Sequence, residues 1–161
     1  MNNSFDQMPD DARLWVYQCN RKFISSELEA INSSLQEFLA SWSAHGTELK
    51  SAYALYYDQV IVLSVDESSH GASGCSIDAS VTFMKLLEET YEISLLDRTQ
   101  IGFVIDKGIM VLNLSQIKEA ITSDKIKPKD IILNNAVSSV AEFKKSWYQT
   151  VDQSWCKKYL T

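Results

Sequence analysis

Two helical periodicities, a set of short β-rich segments around them and a length of 161 residues predict one α+β fold built on an antiparallel sheet. Leu28, Ile31, Leu35, Phe38 and Trp42 recur at steps of three and four, as do Ile77, Val81, Met84, Leu87 and Tyr91. Each set therefore lines one face of a helix. Residues 51–57, 60–65, 100–105 and 109–114 carry the β-branched and aromatic side chains that suit a pleated, half-buried surface. A chain of this length buries about two-thirds of the surface it exposes when unfolded, so neither a metal nor a disulfide is required to hold its core.

Taken in order, residues 1–12 are polar and are expected to fray, while Arg13 to Cys19 (RLWVYQC) reads as the first strand. Ser26 followed by Glu29 forms a capping box at the start of the first helix, and His45-Gly46 supplies a glycine suited to its left-handed end. Ser51–Tyr57 and Val60–Val65 are strands joined tightly at Asp58-Gln59; the second helix follows. Gln100–Ile105 and Ile109–Leu114 form a hairpin, with Gly108 available for the positive φ of its turn. Ser115 is placed to cap a helix through Ile117 and Ile121, which Lys127-Pro128 breaks. Ile131–Leu133 is a short strand, Ser139 and Glu142 make another capping box before Phe143 and Trp147, and SWCKKYL is a docking tail held by Trp155. The first six elements run β-α-β-β-α-β, the ferredoxin-like order. Residues 13–161 are thus expected to be a single domain, with a ferredoxin-like core over 13–106 and an α/β C-terminal extension over 107–161. The expected core is Leu14, Val16, Ile31, Leu35, Phe38, Val62, Leu63, Val81, Met84 and Phe103.

Composition narrows the partners. Residues 1–106 carry 6 basic against 16 acidic side chains, and residues 107–161 carry 9 against 5, within a net charge of −6. The larger part of the chain repels a polyanion, which argues against nucleic acid. No apolar run approaches the roughly 20 residues of a membrane helix, so no membrane partner is expected. Cys19, Cys75 and Cys156 are an odd number, far apart and without a C-x-x-C pair. That usage fits a reducing, cytoplasmic setting rather than a disulfide framework or zinc ribbon. The opening MNNSFDQMPD has neither the basic nor the apolar region of a signal peptide.

Chemistry-bearing residues crowd into Leu63–Ser80, LSVDESSHGASGCSIDAS. A strand ends at Asp66 and Glu67, a loop with His70, Ser73 and Gly74 follows, and Cys75 and Ser76 open a helix whose first N–H groups are unpaired. A helix start lowers a cysteine pKa, making Cys75 a candidate nucleophile, although the carboxylates around it oppose that effect and cysteine is also a frequent core residue. In the ferredoxin-like topology the end of the first helix shares an edge with this loop, which brings His45 towards Cys75 as a base and adds Lys50 as a cation. Asp66, Glu67, His70, Ser73, Gly74, Ser76 and Lys50 are then candidate ligand-binding residues, and Cys75 with His45 the candidate catalytic pair. The plainer alternatives are caps for Ser73 and Ser76, a turn cap for the acids and a solvated His70.

Several signatures are absent. The position six residues after Cys75 is Val81 rather than the arginine of a phosphatase loop, and there is no G-x-x-x-x-G-K-[ST]. Gly71-Ala72-Ser73-Gly74 is one residue short of a G-x-S-x-G elbow, and two histidines without H-E-x-x-H give no zinc centre. No cofactor is implied. The pattern LWVYQCNRKF, HG, VDES, SGCSID, LLDR and SW-x-K-K-Y-L, spread over residues 13–160, resembles a family of small bacterial proteins found chiefly in Bacteroidetes. Some members are labelled "ABC transporter ATPase", but this chain has neither a phosphate loop nor an L-S-G-G-Q-type signature, and the resemblance implies no mechanism. Three functions stay open: a small-molecule or anion-binding module using the Asp66–Ser76 loop, a thiol-dependent enzyme using Cys75, and a scaffold whose charge asymmetry favours homo-oligomers.

Overall fold

The computed structural model describes residues 4–160. Nine strands and four α-helices follow one another as β1 (Arg13–Gln18), α1 (Ser25–Ser41), β2 (Ser43–Ala44), β3 (Thr47–Glu48), β4 (Lys50–Tyr56), β5 (Val60–Asp66), α2 (Gly74–Tyr91), β6 (Gln100–Ile105), β7 (Gly108–Asn113), α3 (Leu114–Thr122), β8 (Ile131–Leu133), α4 (Val140–Ser146) and β9 (Tyr148–Thr150). They build antiparallel sheets in the orders β1-β5-β4, β7-β6-β8-β9 and the small pair β2-β3. The chain is an α+β fold, and among the described residues no helix is long and apolar enough to cross a membrane.

Strand β5 explains the first sheet. Its run VIVLSVD is apolar at almost every position because both of its faces are covered. Ile61, Leu63 and Val65 meet Ile31, Leu35, Leu39, Met84 and Leu87 of α1 and α2. Val60 and Val62, with Leu14 and Val16 of β1, meet Val140, Phe143 and Trp147 of α4 on the other face. Met8 and Ala12 are buried in that second core, and Phe5 packs edge-on against Phe143 at 6.0 Å. Residues 4–12 are therefore docked rather than frayed, while residues 1–3 lie outside the described residues. A third core forms under the second sheet, where Phe103 and Ile132 pack on Ile117, Ile121, Ile126 and Cys156.

The expected core is largely present, with Phe38 and Val81 only half-buried. In α2 the buried stripe is Ser76, Ser80, Met84 and Leu87. The small Ser80 is fully buried, its hydroxyl donating to Ile77 O at 2.6 Å. Phe83 and Phe38 instead stack on each other at 4.6 Å across the helix pair.

Local signals are used differently from expectation in five places. Helix α1 is capped by Glu27, whose carboxylate accepts from the Ile24 amide at 2.9 Å, and Ser26 lies inside the first turn. The helix stops at Ser41, and His45 (φ 52°) and Gly46 (φ 80°) form the two-residue turn of the β2–β3 hairpin instead of a helix end. In the β6–β7 turn the positive φ falls on Asp106 and Lys107, not Gly108. Asn113, not Ser115, precedes α3, its amide donating to Gln116 Oε1 at 2.9 Å. The tail is anchored by the fully buried Val151 and Cys156, whereas Trp155 remains 45% exposed.

The β1-β5-β4 order reproduces three strands of the ferredoxin-like arrangement, with β1 and β5 antiparallel and Val16 opposite Val62. The fourth strand does not join them. β6 has both edges occupied, by β7 and by β8. The outer edge of β1 is taken up separately: the Leu14 amide donates to Ser138 O at 3.0 Å, and Arg98 Nη1 donates to Val16 O at 3.1 Å. Beyond them, at the end of β1, the buried Gln18 side chain bridges to the second sheet. It donates to Gln100 O at 3.4 Å and accepts from Asn135 Nδ2 at 3.0 Å. Gly102 allows this approach, since a Cβ there would overlap the Gln18 amide and lie 3.1 Å from Ile109 Cγ2.

Two stability predictions follow from these contacts. Gly102→Ala is expected to destabilise the fold by about 1–3 kcal/mol through overpacking. The double variant with Gln18→Ala should recover part of that loss, as measured by urea unfolding of the single and double variants. The Arg21 guanidinium, bonded twice at 2.8 Å, and the Ile24 amide hold the Glu27 carboxyl at about 2 instead of 4.5. A depressed folded-state value means that this contribution is complete above about pH 4.5 and is lost as pH falls towards about 2. Glu27→Gln should lose about 1–2 kcal/mol at pH 7 and show a flatter stability profile between those two pH values.

Candidate functional site

The Asp66–Ser76 loop folds against the β2–β3 hairpin. His70 Nε2 lies 2.8 Å from Ala44 O, and Lys50 sits directly across from Asp66 in the β4–β5 register. The shared edge inferred from topology therefore exists, yet its polar groups are spent on the loop itself. Ser73 and Ser76 cap α2 reciprocally: Ser76 N donates to Ser73 Oγ at 3.1 Å and Ser73 N donates to Ser76 Oγ at 2.7 Å. Trp42 Nε1 donates to Ser76 O at 2.8 Å, which pins the buried helix start. Glu67 Oε2 accepts from the Ala72 amide at 2.8 Å and lies 4.0 Å from Arg13 Nη1. Asp66 Oδ1 accepts from the Ser68 amide at 3.0 Å; this bond first, then the Ser68 hydroxyl and Lys50, holds its carboxyl below the usual range. Gly74 is the exposed first residue of α2.

Cys75 is exposed, and His45 stands on the exposed hairpin turn. Among the described residues neither side chain makes a hydrogen bond, so no nucleophile–base pair is assembled. No group of three or more His, Cys, Asp or Glu is placed to hold a metal ion among the described residues.

A cavity lies at a different place in the fold. It occupies about 560 Å³ between the outer edge of β1 and the second sheet, in the space that the displaced β6 leaves. None of the residues of the Asp66–Ser76 loop lines it, nor do His45 and Lys50. The loop is closed by its own caps, whereas the cavity is held open by side chains that span two sheets. Leu95, Ile101, Ile132, Leu133 and Val137 give it apolar walls; Arg13, Asp97, Arg98 and the amides of Gln18, Gln100, Asn134, Asn135 and Gln149 give it polar ones.

Most of the polar wall is already engaged. Gln18 is bonded as described, Asn135 Oδ1 accepts from Trp147 Nε1 at 2.9 Å, Asn134 Oδ1 accepts from the Ala136 amide at 3.2 Å, and Asp97 Oδ1 accepts from the Thr99 hydroxyl and amide. Arg13 lies over the Trp15 ring at 5.1 Å and towards Glu67. Two groups are less committed. Gln100 Oε1 has no hydrogen-bond partner. Arg98 makes one hydrogen bond, to Val16 O, lies 5.9 Å from the Tyr17 ring centroid, and has no carboxylate within ion-pair distance among the described residues. A guanidinium carries five donors, so most of those of Arg98 remain available.

Comparisons with protein-family models, with curated proteins and with solved structures find no match to this chain. Sequence patterns pointed away from the cavity because its walls come from four separated stretches, residues 13–18, 95–101, 132–138 and 149–155. The faint local signals were the run Leu95-Leu96-Asp97-Arg98 ahead of a strand and the paired amides Asn134-Asn135 after one.

Burial makes the thiols distinguishable. Cys75 is exposed, while Cys19 and Cys156 are buried and their thiols are raised above the usual range, chiefly by burial. Iodoacetamide should label one cysteine in the native protein and three after unfolding, with Cys75→Ser abolishing native labelling. His45→Ala should leave the native rate unchanged; mass spectrometry of the labelled peptides checks each outcome.

Proposed function

We propose that the protein is a small-molecule-binding module whose ligand is an organic anion seated in the cavity between β1 and the second sheet. Arg98 carries this reading, as a cation on the cavity wall with no carboxylate partner and with donors to spare. Arg13 on the same wall is drawn towards Glu67 at 4.0 Å, which leaves Arg98 as the cation without an ion-pair partner among the described residues. The apolar residues around them suit the body of an organic molecule better than a bare inorganic ion. The volume of about 560 Å³ falls within the roughly 300–1,000 Å³ of small-ligand pockets. A guanidinium binds a carboxylate through paired, charge-assisted hydrogen bonds, which fixes the orientation of the acid while apolar burial supplies much of the affinity.

The test is thermal unfolding with straight-chain carboxylates from acetate to octanoate and with the corresponding amides. Stabilisation should grow with apolar length and favour each acid over its amide. A ligand at about 100 times its Kd should add about 2.7 kcal/mol, or about 5–10 °C in Tm for a chain of this size. Arg98→Gln should weaken acid binding by about 10- to 100-fold while changing the unliganded Tm little. The reading fails if octanoate leaves both the Tm and the indole N–H signal of Trp155 unmoved, or if the acid and amide series behave alike.

A further inference from the structure

We propose that the ligand is a planar aromatic carboxylate, its ring laid against Trp155 and its acid group held by Arg98. This rests on the preceding reading of the cavity and names the ligand class within it. Trp155 lines the cavity although it is 45% exposed. Its backbone is held firmly beside that opening. Cys156 next to it is fully buried, its amide donating to Ser154 Oγ at 3.1 Å, and the Ser154 hydroxyl donates to Val151 O at 2.8 Å. The tail therefore presents a large apolar ring at the cavity instead of burying it, and does so on a rigid turn. An indole offers a flat face that favours offset stacking with another ring.

Charge around that ring favours an anion. Lys158 Nζ lies 5.7 Å from the Trp155 centroid and 5.1 Å from that of Tyr159, placing a cation at the indole. Leu95 and Ile132 are buried in the same wall, and Ile101 is half-buried there. They supply an apolar lining for the ring. Gln100, whose amide oxygen has no partner, and Gln149 add neutral polar groups that tolerate ring heteroatoms or substituents. The Arg98 fork matches the two oxygens of a carboxylate lying in the ring plane.

Three compounds separate the elements of this proposal by calorimetry on the whole chain: 2-naphthoate, planar and charged; 2-naphthamide, planar and neutral; and decahydro-2-naphthoate, charged with the same carbon skeleton but not planar. We expect 2-naphthoate to bind at least about fivefold tighter than the decahydro acid, the scale of one aromatic stacking contact, and at least about tenfold tighter than the amide. Trp155→Leu keeps an apolar side chain and should abolish the preference for the planar acid. Arg98→Gln should abolish the preference for acid over amide. Equal binding of the planar and decahydro acids in the wild type, or a planar preference that survives in Trp155→Leu, overturns the proposal while the anion-binding reading stands if octanoate binds. If none of the three compounds and no straight-chain acid binds, both readings fall together.

Discussion

The Gln18 amide is the interaction on which the two halves of this protein depend. It sits at the end of β1, 7% exposed, with its nitrogen on the Gln100 carbonyl and its oxygen on Asn135, which in turn holds the Trp147 indole. One side chain thus ties the first sheet to β6, to the loop after β8 and to α4. A buried amide must satisfy both of its ends or lose about 1–3 kcal/mol for each one left unpaired. The surrounding groups are fixed accordingly: Gly102 has no side chain because none fits, and β6 is held close to β1 without pairing to it.

That spacing creates the cavity. Two strands that approach through side chains rather than through a ladder leave room between their backbones, and the room is lined by whatever each sheet edge carries. Here the first sheet contributes Arg13 to Gln18 and the second contributes Gln100, Ile101 and Ile132, with Arg98 reaching across to Val16 O. Three cores surround it, one on each face of β5 and one under the second sheet. Packing at native density makes such walls stiff, so the junction between them has a defined shape.

The Asp66–Ser76 loop shows why crowded chemistry in a sequence is an ambiguous sign. Serines, acids and a histidine at a strand-to-helix connection have two uses, since the helix start and the turn need hydrogen-bond partners of their own. In this loop those needs consume them: the two serines cap α2, Glu67 closes on Ala72, Asp66 on Ser68 and His70 on Ala44. Cys75 stays exposed and, among the described residues, makes no hydrogen bond to an imidazole. Hairpin and loop adjoin where His70 meets Ala44 O, and the antiparallel pairing of β4 with β5 sets Lys50 across from Asp66.

By itself the sequence determined the α+β class, the two long helices, the strand hairpin over residues 50–66 and most of the core, because each rests on a periodicity or a turn contained within some 20 residues. It also contained the capping chemistry, though not which of Glu27 or Glu29 would be used, since both stand within reach of a helix start. Tertiary structure decided where β6 goes, the docking of residues 4–12 and the position of the cavity. A strand shows in its own residues that one or both faces are buried, but not which edge it will share. That choice was settled by β7 and β8 on either side of β6, and by Gln18 and Ser138 occupying the edge of β1. Arg98 and Trp155, 57 positions apart, line one cavity only because the two sheets meet there, and no local pattern encodes such a meeting.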